Sequence, residues 1–429
     1  MDAMLTPAPS GEEQPQPTPP QPRRRSLWRN RDYMLLWSGQ TVSSVGTQVS
    51  QLAFPLLVLA LTGSPAQAGI AGALRALPYV FFSLPVGALI DRWDRKRVMI
   101  LCDIGRALAL GSIPVAMAFS QLTVVQLFAV ALVEGTLFVF FNLAEVACLP
   151  RVVTKEQLPA ATATNSATEG TSALVGPSLG GALFAFSSML PFVVDAISYA
   201  ASFLSLFFIR TRFQGERTAQ RRNLWTEIGE GIAWLWHQPL IRYIAFLTGG
   251  YNFISAGTPL ILIVLATQQR ASPTLIGLIF TIGGIGGIIG AFIAAPLQKR
   301  LSFAQVIVGI TWISALTFPL YAVAPNPIVL GVITAVAYTL GPIYNVVQFS
   351  HRLSLIPDAL QGRVNSVFRL LAFGFQPLGA LLTGIMLQTL QPVPTVLLLS
   401  VVFLALAISA SLNQHVRHAQ SSARASTAA

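Results

Sequence analysis

Eight ionisable residues stand inside long apolar stretches of the sequence, and they have the clearest potential for chemistry. An ionised side chain in apolar surroundings costs several kcal/mol unless it meets an opposite charge or water. Carboxylates and guanidinium groups in such places can bind a proton, contact a charged substrate or join helices as ion pairs. Seven belong to the first half of the chain and one to the second: Arg75, Asp103, Arg106, Glu134, Glu145, Glu169, Asp195 and Arg369.

The sequence lacks the residue constellations that an enzyme would need. The histidines lie in polar segments, without Cys, Asp or Glu at metal-ligand or nucleophile spacing. The cysteines provide no disulfide framework, and no phosphate-binding loop of the Walker type is present. We therefore predict no enzymatic activity, no cofactor and no metal site. The residues considered are His237, His351, His415, His418, Cys102 and Cys148.

The composition indicates a polytopic membrane protein. Of 429 residues, 53% are hydrophobic and only 10% are charged, whereas a soluble protein carries about a quarter charged residues. The net charge of +11 does not indicate nucleic-acid binding, because the basic groups recur after every second apolar run. Lys and Arg in short loops mark the cytoplasmic side. We predict a multi-pass protein of the bacterial cell membrane with both termini in the cytoplasm.

Residues 87–97 form a dense group of charges between two apolar runs and read Gly-Ala-Leu-Ile-Asp-Arg-Trp-Asp-Arg-Lys-Arg. The segment resembles the signature loop between helices two and three of the major facilitator superfamily. The matching residues are Gly87, Asp91, Arg92, Arg95 and Lys96, while Asp94 stands where the family usually has Gly. A loop that serves only to fix orientation is the alternative.

The resemblance implies an all-α polytopic membrane protein with twelve transmembrane helices in two six-helix bundles. Asn165 lies twelve residues before Pro177, and Asn365 lies twelve before Pro377, so the two halves echo each other. We expect a disordered cytoplasmic tail over residues 1–30, the first bundle over 31–210, a cytoplasmic linker with an amphipathic helix over 211–240, the second bundle over 241–412 and a cytoplasmic tail over 413–429.

A second motif lies in the fifth span. Gly176, Pro177, Gly180 and Gly181 resemble the Gly-Pro-x-x-Gly-Gly motif of the antiporter branch. Glycines allow close approach of two helix backbones, and we expect Gly176 and Gly180 to pack against the glycine-rich face of span eight, residues 283–290. A proline-kinked packing helix without special function is the alternative.

The resemblance also implies a latch at the cytoplasmic side that holds the two halves together. We expect Asp91 to lie near the start of span eleven, around Asn365, in the outward-facing state, because a helix start attracts an anion. Glu145 would hold the basic residues in place. The residues assigned to this gate are Gly87, Asp91, Arg92, Arg95, Lys96, Arg106 and Glu145.

In the family, substrate passes through a central cavity lined by spans one, four, seven and ten. The polar residues that map there are Gln40, Thr47, Glu134, Asn252, Tyr344 and Asn345. For the polar stripe of span one, Gln40, Ser44, Thr47 and Gln51, packing between helices is an equally good explanation.

Arg75 and Glu134 form the sharpest hypothesis. Arg75 lies fifteen residues before Ile90 and Glu134 fourteen before Cys148, the ends of their apolar runs. With a rise of 1.5 Å per residue, both lie roughly 21–23 Å from the cytoplasmic surface, and spans two and four are neighbours in the family fold. We expect Glu134 to carry the coupling proton with Arg75 as its counter-charge. A structural ion pair or a contact to a cationic substrate remains an alternative, and Asp103 or Glu169 is next in line for the proton.

Taken together, the motifs resemble the branch of the superfamily that contains macrolide-efflux and enterobactin-export proteins. The resemblance implies a monomer that exports a bulky, partly lipophilic small molecule, drug-, macrolide- or siderophore-like, against inward proton flow by alternating access. An importer of the same fold and a non-transporting membrane sensor or scaffold are the alternatives. The expected partners are the substrate, protons and the lipid bilayer, and no nucleic acid.

Overall fold

The computed structural model describes residues 27–90, 92–211, 213, 224–357 and 360–417, and all regular structure in these ranges is helical. Short 3-10 segments occur at Leu27–Arg29 and Phe318–Val323. The α-helices are α1 Arg31–Thr62, α2 Pro65–Ile90, α3 Arg95–Ala118, α4 Val124–Val152, α5 Leu158–Phe186, α6 Leu190–Phe208, α7 Leu224–His237, α8 Pro239–Gln268, α9 Pro273–Arg300, α10 Phe303–Thr317, α11 Pro327–Leu355, α12 Gln361–Gly374, α13 Gln376–Leu390 and α14 Pro392–Leu412.

Short polar connections separate the helices, and their residues explain where helices begin and end. An Asn, Asp, Ser or Thr side chain accepts a hydrogen bond from a backbone N–H of the first turn, which satisfies a donor that the helix leaves free. Helix α1 ends at Gly63, whose φ of 64° is the left-handed conformation that glycine adopts without strain. The capping residues are Asn30, Asp94, Thr123, Ser272, Ser302 and Asn326.

Eleven helical segments among the described residues are long and apolar enough to cross a membrane, counting α12 and α13 as one and α10 with its 3-10 extension as one. Helix α5 is the twelfth long helix of the bundle and misses this criterion although it has 29 residues. Its first half is rich in Ala, Thr and Ser, and many of these side chains are exposed. The predicted all-α polytopic fold is confirmed, and α5 differs because part of it faces the space between the halves and not lipid.

The eleventh span is interrupted, whereas the sequence suggested one continuous helix. Helix α12 ends at Gly374 and α13 begins at Gln376, with Phe375 between them. Pro377 explains the break, because it has no N–H to continue the helix ladder and its ring crowds the carbonyl four residues earlier. Pro177 occupies the corresponding place in the uninterrupted helix α5.

Helices α1–α6 form one half and α8–α14 the other, and two seams join them. At the first seam α5 packs on α9, and at the second α2 packs on α13. Each seam has a glycine on both sides: a Cβ on Gly181 would lie 3.2 Å from the Gly277 Cα, and a Cβ on Gly69 would lie 2.7 Å from the Gly384 Cα. The backbones touch at both seams because neither helix carries a side chain there.

The hydrophobic core differs between the two ends of the bundle. At the end that carries residues 62–65, here called the closed end, one apolar cluster includes buried residues from both halves, such as Leu57 and Ile261. At the end that carries residues 92–97, here called the basic end, the halves have separate clusters. The halves are therefore sealed together at the closed end and parted at the basic end.

Helix α7 occupies the end of the linker, where the sequence predicted an amphipathic helix. It packs against α12 and α8. Leu235 is buried, Trp236 on the same turn is exposed, and Glu230 forms an ion pair with Arg363 of α12. The predicted tail residues 1–26 and 418–429, most of residues 212–223, and Asp91 lie outside the described residues.

Candidate functional site

A group of three charges lies inside the first half and joins three helices. Nε of Arg75 on α2 donates to Oε2 of Glu134 on α4 at 2.6 Å, and Nη2 of Arg106 on α3 donates to Oε1 at 2.7 Å. The side chains of Glu134 and Arg106 are about 5% exposed or less, and that of Arg75 is 27% exposed. We call Arg75, Arg106 and Glu134 the charge triad. The pairing of Arg75 with Glu134, expected from helix lengths, is present.

The position of Arg106 corrects one expectation. The sequence assigned it to the cytoplasmic latch with Glu145, but its guanidinium group is bound to Glu134 and lies 4.1 Å from the ring centroid of Tyr199. An arginine over an aromatic face gains a cation–π interaction, which strengthens when water is excluded. Arg106 is therefore a member of the charge triad and does not bind the charged loop of residues 87–97, here called the basic loop.

Gly135 explains how α2 and α4 come close enough to form the triad. A Cβ at this position would lie 2.0 Å from the backbone oxygen of Arg75. Only a glycine allows this backbone approach, which brings the side chains of Arg75 and Glu134 into contact. The sequence shows Gly135 directly after Glu134, but its partner became visible only with the helices in place.

Two further carboxylates are buried near the triad, on α6 and α3. Asp195 is 0% exposed and accepts hydrogen bonds from Ser50 and from Ser198, the latter at 3.0 Å. Asp103 is also 0% exposed; the Ser202 side chain lies near it, but neither carboxylate oxygen has a partner at hydrogen-bond geometry among the described residues. The sequence marked Asp195 as an ionisable residue in an apolar stretch, but it gave no sign that α6 contributes to this region.

Tyr199 was missed altogether by the sequence reasoning. It is fully buried, and its hydroxyl lies 2.7 Å from Oγ1 of Thr47 on α1. Because Tyr199 contacts Arg106 on one side and Thr47 on the other, it links the charge triad to α1. A tyrosine in an apolar helix gives no signal at the sequence level that separates this role from ordinary packing.

A cavity of about 950 Å³ lies between the two halves and is separate from the triad. It is lined by α1 and α5 of the first half and by α8, α9 and α11 of the second. The wall is mainly apolar, with Gln48, Gln51, Thr171, Ser255 and Tyr338 among its polar members. None of the described residues on this wall carries a charge.

Gln51 of the span-one stripe lies on this wall, but the six residues mapped to the cavity from the family do not. Helices α1, α8 and α11 line it as expected, but α4 does not, and α5 and α9 contribute instead. Polar side chains on these helices turn toward their own half to satisfy their hydrogen bonds. Gln40 donates to Ser202, Thr47 meets Tyr199, Glu134 belongs to the triad, Asn252 donates to the Ala372 carbonyl, Tyr344 meets Thr248, and Asn345 is exposed outside the cavity.

The Gly-Pro motif of α5 packs differently from the prediction. A Cβ on Gly176 would lie 2.3 Å from the Gln48 Cβ, and one on Gly180 would lie 2.6 Å from the Val49 oxygen, so both face α1. Gly181 faces α9 instead, where a Cβ would lie 2.3 Å from the Pro273 oxygen. The expected packing of Gly176 and Gly180 on span eight is wrong, because these two glycines are on the face of α5 that points to its own half.

Residues 283–290 of α9 also have another partner. A Cβ on Gly286 would lie 1.9 Å from the Ala335 oxygen, and one on Gly290 would lie 2.2 Å from the Thr339 oxygen, both on α11. Gly286 and Gly290 therefore hold α9 and α11 together within the second half, whereas Gly284 faces α5, where a Cβ would lie 3.2 Å from the Leu174 Cα. Pro177 contributes to the seam between halves through its backbone oxygen, 2.4 Å from a Cβ built on Gly277.

Two residues of the basic loop donate to backbone carbonyls of neighbouring segments. Nη1 of Arg95 donates to the Ala147 oxygen at 2.8 Å, and Nζ of Lys96 donates to the Ile209 oxygen at 2.6 Å. Arg95 thus binds α4 two residues beyond Glu145, and no ion pair joins Glu145 to the described residues of the loop. The remaining residues predicted for the gate are Gly87, Arg92 and Asp91. Gly87 has open space where a Cβ would be, and the backbone N–H of Arg92 donates to the Leu89 oxygen. Asp91 lies outside the described residues.

Asp94, which departs from the family pattern, has a local role. Its side chain accepts from the backbone N–H groups of Lys96 at 3.0 Å and Arg97 at 3.2 Å and so caps α3. No group of three or more His, Cys, Asp or Glu suited to a metal is present in the part of the chain that the structure describes.

Comparisons with known proteins agree with this architecture. The family model described as Major Facilitator Superfamily matches residues 36–375. Multidrug efflux pump Tap of Mycolicibacterium fortuitum is 26% identical over 391 residues, 88% of this chain and 94% of that protein. Macrolide efflux protein A of Streptococcus pyogenes is 26% identical over 208 residues, 48% of this chain and 51% of that protein. The crystal structure of nucleoside transporter NupG has a TM-score of 0.70 at 15% identity and covers 89% of this chain and 97% of that one.

Proposed function

Because the chain belongs to the major facilitator superfamily, we propose that it exports a bulky, partly lipophilic small molecule across the bacterial plasma membrane in exchange for protons. The observation that carries this proposal is the charge-free cavity of about 950 Å³ between two halves that are sealed at one end only. A cavity of this size and apolar character suits a drug-sized molecule. The similarity to a multidrug efflux pump over 88% of the chain supports export.

The positive-inside rule supplies the orientation. Arg92, Arg95, Lys96 and Arg97 all lie at the basic end, so this end faces the cytoplasm, and the ends of the described chain, Leu27 and Arg417, lie on that side. The parted halves then open the cavity to the cytoplasm, in an inward-facing conformation. Export requires the opposite state, in which the glycine seams at the closed end separate and the basic end closes.

The charge triad and the two nearby carboxylates are the proposed site of proton coupling. Two guanidinium groups face three buried carboxylates, those of Glu134, Asp195 and Asp103. A proton is therefore needed to balance the charges when this region is closed to water. Glu134 is the first candidate for the coupling proton because a proton that broke its two ion pairs would release Arg75 and Arg106 together and free α2, α3 and α4 from one another. Asp103 is the second, because neither of its oxygens has a hydrogen-bond partner among the described residues. The balancing proton of the closed state belongs instead on Asp103 or Asp195, which have no ion pair among the described residues.

The test is transport by purified protein in liposomes with an imposed pH gradient. Drug export and proton flux are measured together for the parent protein, Glu134→Gln and Asp103→Asn, with Glu156→Gln in an exposed loop as the matched control. We expect Glu134→Gln to abolish drug movement driven by the pH gradient while Glu156→Gln behaves as the parent. Breaking a buried ion pair costs about 3–5 kcal/mol, so the amount of folded protein is measured in parallel.

Three results would count against the proposal. Undiminished coupling in Glu134→Gln would move the proton site elsewhere, to Asp103 if that variant alone is uncoupled. Drug accumulation in the direction opposite to export would identify an importer. Absence of any movement across a panel of macrolides and dyes would favour a sensor or scaffold.

A further inference from the structure

A second, smaller cavity of about 60 Å³ lies deep in the second half, beside the main cavity. The two cavities share four wall residues, Tyr251, Ser255, Ala337 and Tyr338. The small cavity is therefore a side pocket directly beside the main one. It lies among α8, α10, α11 and α14 and is far from the charge triad in the first half.

The wall of the side pocket is unusual for its density of hydroxyl groups. Seven of its ten residues are Ser, Thr or Tyr, and none is charged: Tyr251, Ser255, Thr258, Ser314, Thr317, Tyr321 and Tyr338. Some of these hydroxyls are already engaged, since Thr258 donates to the Ile254 oxygen and Tyr321 to Oγ1 of Thr334.

Ser314 is a deeply buried hydroxyl on this wall. It is 5% exposed, and its Oγ has no partner at hydrogen-bond geometry among the described residues. The Tyr251 hydroxyl lies beside it on the same wall. A buried hydroxyl normally finds a partner, so a polar group that enters the pocket next to Tyr251 can satisfy Ser314 once its Oγ turns toward the pocket.

The back of the side pocket is fixed by a change in helix type. Helix α10 ends at Thr317, and the chain continues as the 3-10 segment Phe318–Val323. The tighter turn places Phe318 and Tyr321 on the pocket wall, with ring centroids 5.5 Å apart, and Phe318 lies 5.1 Å from Phe403. Three packed rings make a rigid wall against which a small group can be held.

From this arrangement we infer that the side pocket is a subsite for an uncharged, oxygen-bearing group of the substrate, such as a hydroxymethyl group, and that Ser314 is its hydrogen-bonding anchor. This inference rests on the proposed export function and narrows its substrate to neutral molecules with hydroxyl groups. A charged group has no counter-charge in either cavity, and burying it there would be costly. An apolar group would leave the Ser314 hydroxyl without a partner. A volume of 60 Å³ is about that of two water molecules, so only a small group fits.

Three probes are compared. Chloramphenicol is neutral and has a free primary hydroxyl group, and its 3-O-acetyl ester has that hydroxyl blocked. Ethidium is a permanent cation. Binding to the purified full-length protein in detergent is measured by equilibrium dialysis of labelled probe. Export of the same probes is measured separately in liposomes. Ser314→Ala removes the hydroxyl, and Ser314→Val fills the pocket. Thr311→Val is the matched control, since Thr311 is a buried hydroxyl residue on α10 outside both cavities.

We expect Ser314→Ala to weaken chloramphenicol binding about three- to tenfold, which corresponds to one neutral hydrogen bond. Ser314→Val should weaken it at least as much, because the added methyl groups also occupy the pocket. The ester should bind more weakly than chloramphenicol to the parent protein and be insensitive to Ser314→Ala. Thr311→Val should bind all probes as the parent does.

The inference is overturned if chloramphenicol does not bind, if Ser314→Ala and Thr311→Val have the same affinities, or if ethidium binds more tightly than chloramphenicol. The export arm separates this failure from that of the proposed function. Binding that depends on Ser314 without any export would leave the subsite in place and refute export. Export without dependence on Ser314 would refute the subsite alone.

Discussion

Replacement of Gly181 by alanine should shift the protein between its two conformations. A Cβ at this position would lie 2.3 Å from the Pro273 oxygen on α9, whereas a carbon–oxygen contact needs about 3.3 Å. The two helices must therefore separate by about 1 Å, or the seam must strain. Overpacking of this kind costs about 1–3 kcal/mol. The cost applies only to the conformation in which the closed end is sealed, so it shifts the equilibrium by about 5- to 150-fold.

Gly180 provides the matched control. A Cβ there would lie 2.6 Å from the Val49 oxygen, a similar overlap, but within the first half. Gly180→Ala should lower thermal stability without changing the balance between conformations, because α1 and α5 move together. The two variants thus differ in which helix pair is strained and are alike in the size of the change.

The assay is double electron–electron resonance between spin labels at the closed end. Gln121 and Thr389 are exposed and belong to different halves, and the two native cysteines, Cys102 and Cys148, are buried and can be replaced by alanine. We expect Gly181→Ala to add a population at longer distance that the parent and Gly180→Ala lack. If all three proteins give the same distances while both variants melt earlier, the α5–α9 contact does not control the conformation and the reasoning is refuted.

Two further predictions concern local contacts. Gly135→Ala should lower the melting temperature in detergent and impair transport, because its Cβ would lie 2.0 Å from the Arg75 oxygen and push α2 away from Glu134, at a cost of about 1–3 kcal/mol. Gly309→Ala is the control, because Gly309 has open space around it. Equal melting temperatures of the two variants would contradict the role of Gly135. Asp94→Ala should lose the cap of α3 and about 0.5–2 kcal/mol of stability, while Asp94→Asn keeps it; equal loss in both would assign the effect to charge and not to capping.

The sequence determined the membrane-spanning architecture because apolar length and charge position along the chain are properties of the chain itself. A run of about 20 apolar residues must cross the bilayer, and the loops with Lys and Arg support the proposed orientation. The depth of a residue follows from the helix rise, and the resemblance to the family implied that spans two and four are neighbours, so the contact between Arg75 and Glu134 could be predicted. The break in the eleventh span was not predicted, because Pro377 interrupts its helix whereas Pro177 leaves α5 continuous.

The sequence could not predict the direction in which each side chain points around its helix axis. Counting along the chain assigned Arg106 to the cytoplasmic side, and only the packing of α3 between α4 and α6 revealed its contact with Glu134. Gly176, Gly180 and Gly181 are close in sequence, yet about 100° of rotation per residue sends the first two to α1 and the third to α9.

The cavity illustrates the same difference on a larger scale. The polar residues Gln40, Thr47 and Asn252 are visible in the sequence, but each found a partner inside its own half. The cavity wall was formed instead by Gln48, Ser255 and apolar side chains that have no distinctive spacing. Hydropathy depends only on the type of each residue. It therefore does not tell whether that residue faces lipid, a cavity or another helix. Which side faces a neighbour, the lipid or a cavity is fixed only when all helices pack together, because backbone contacts at glycines and buried hydrogen bonds then exclude the other rotations.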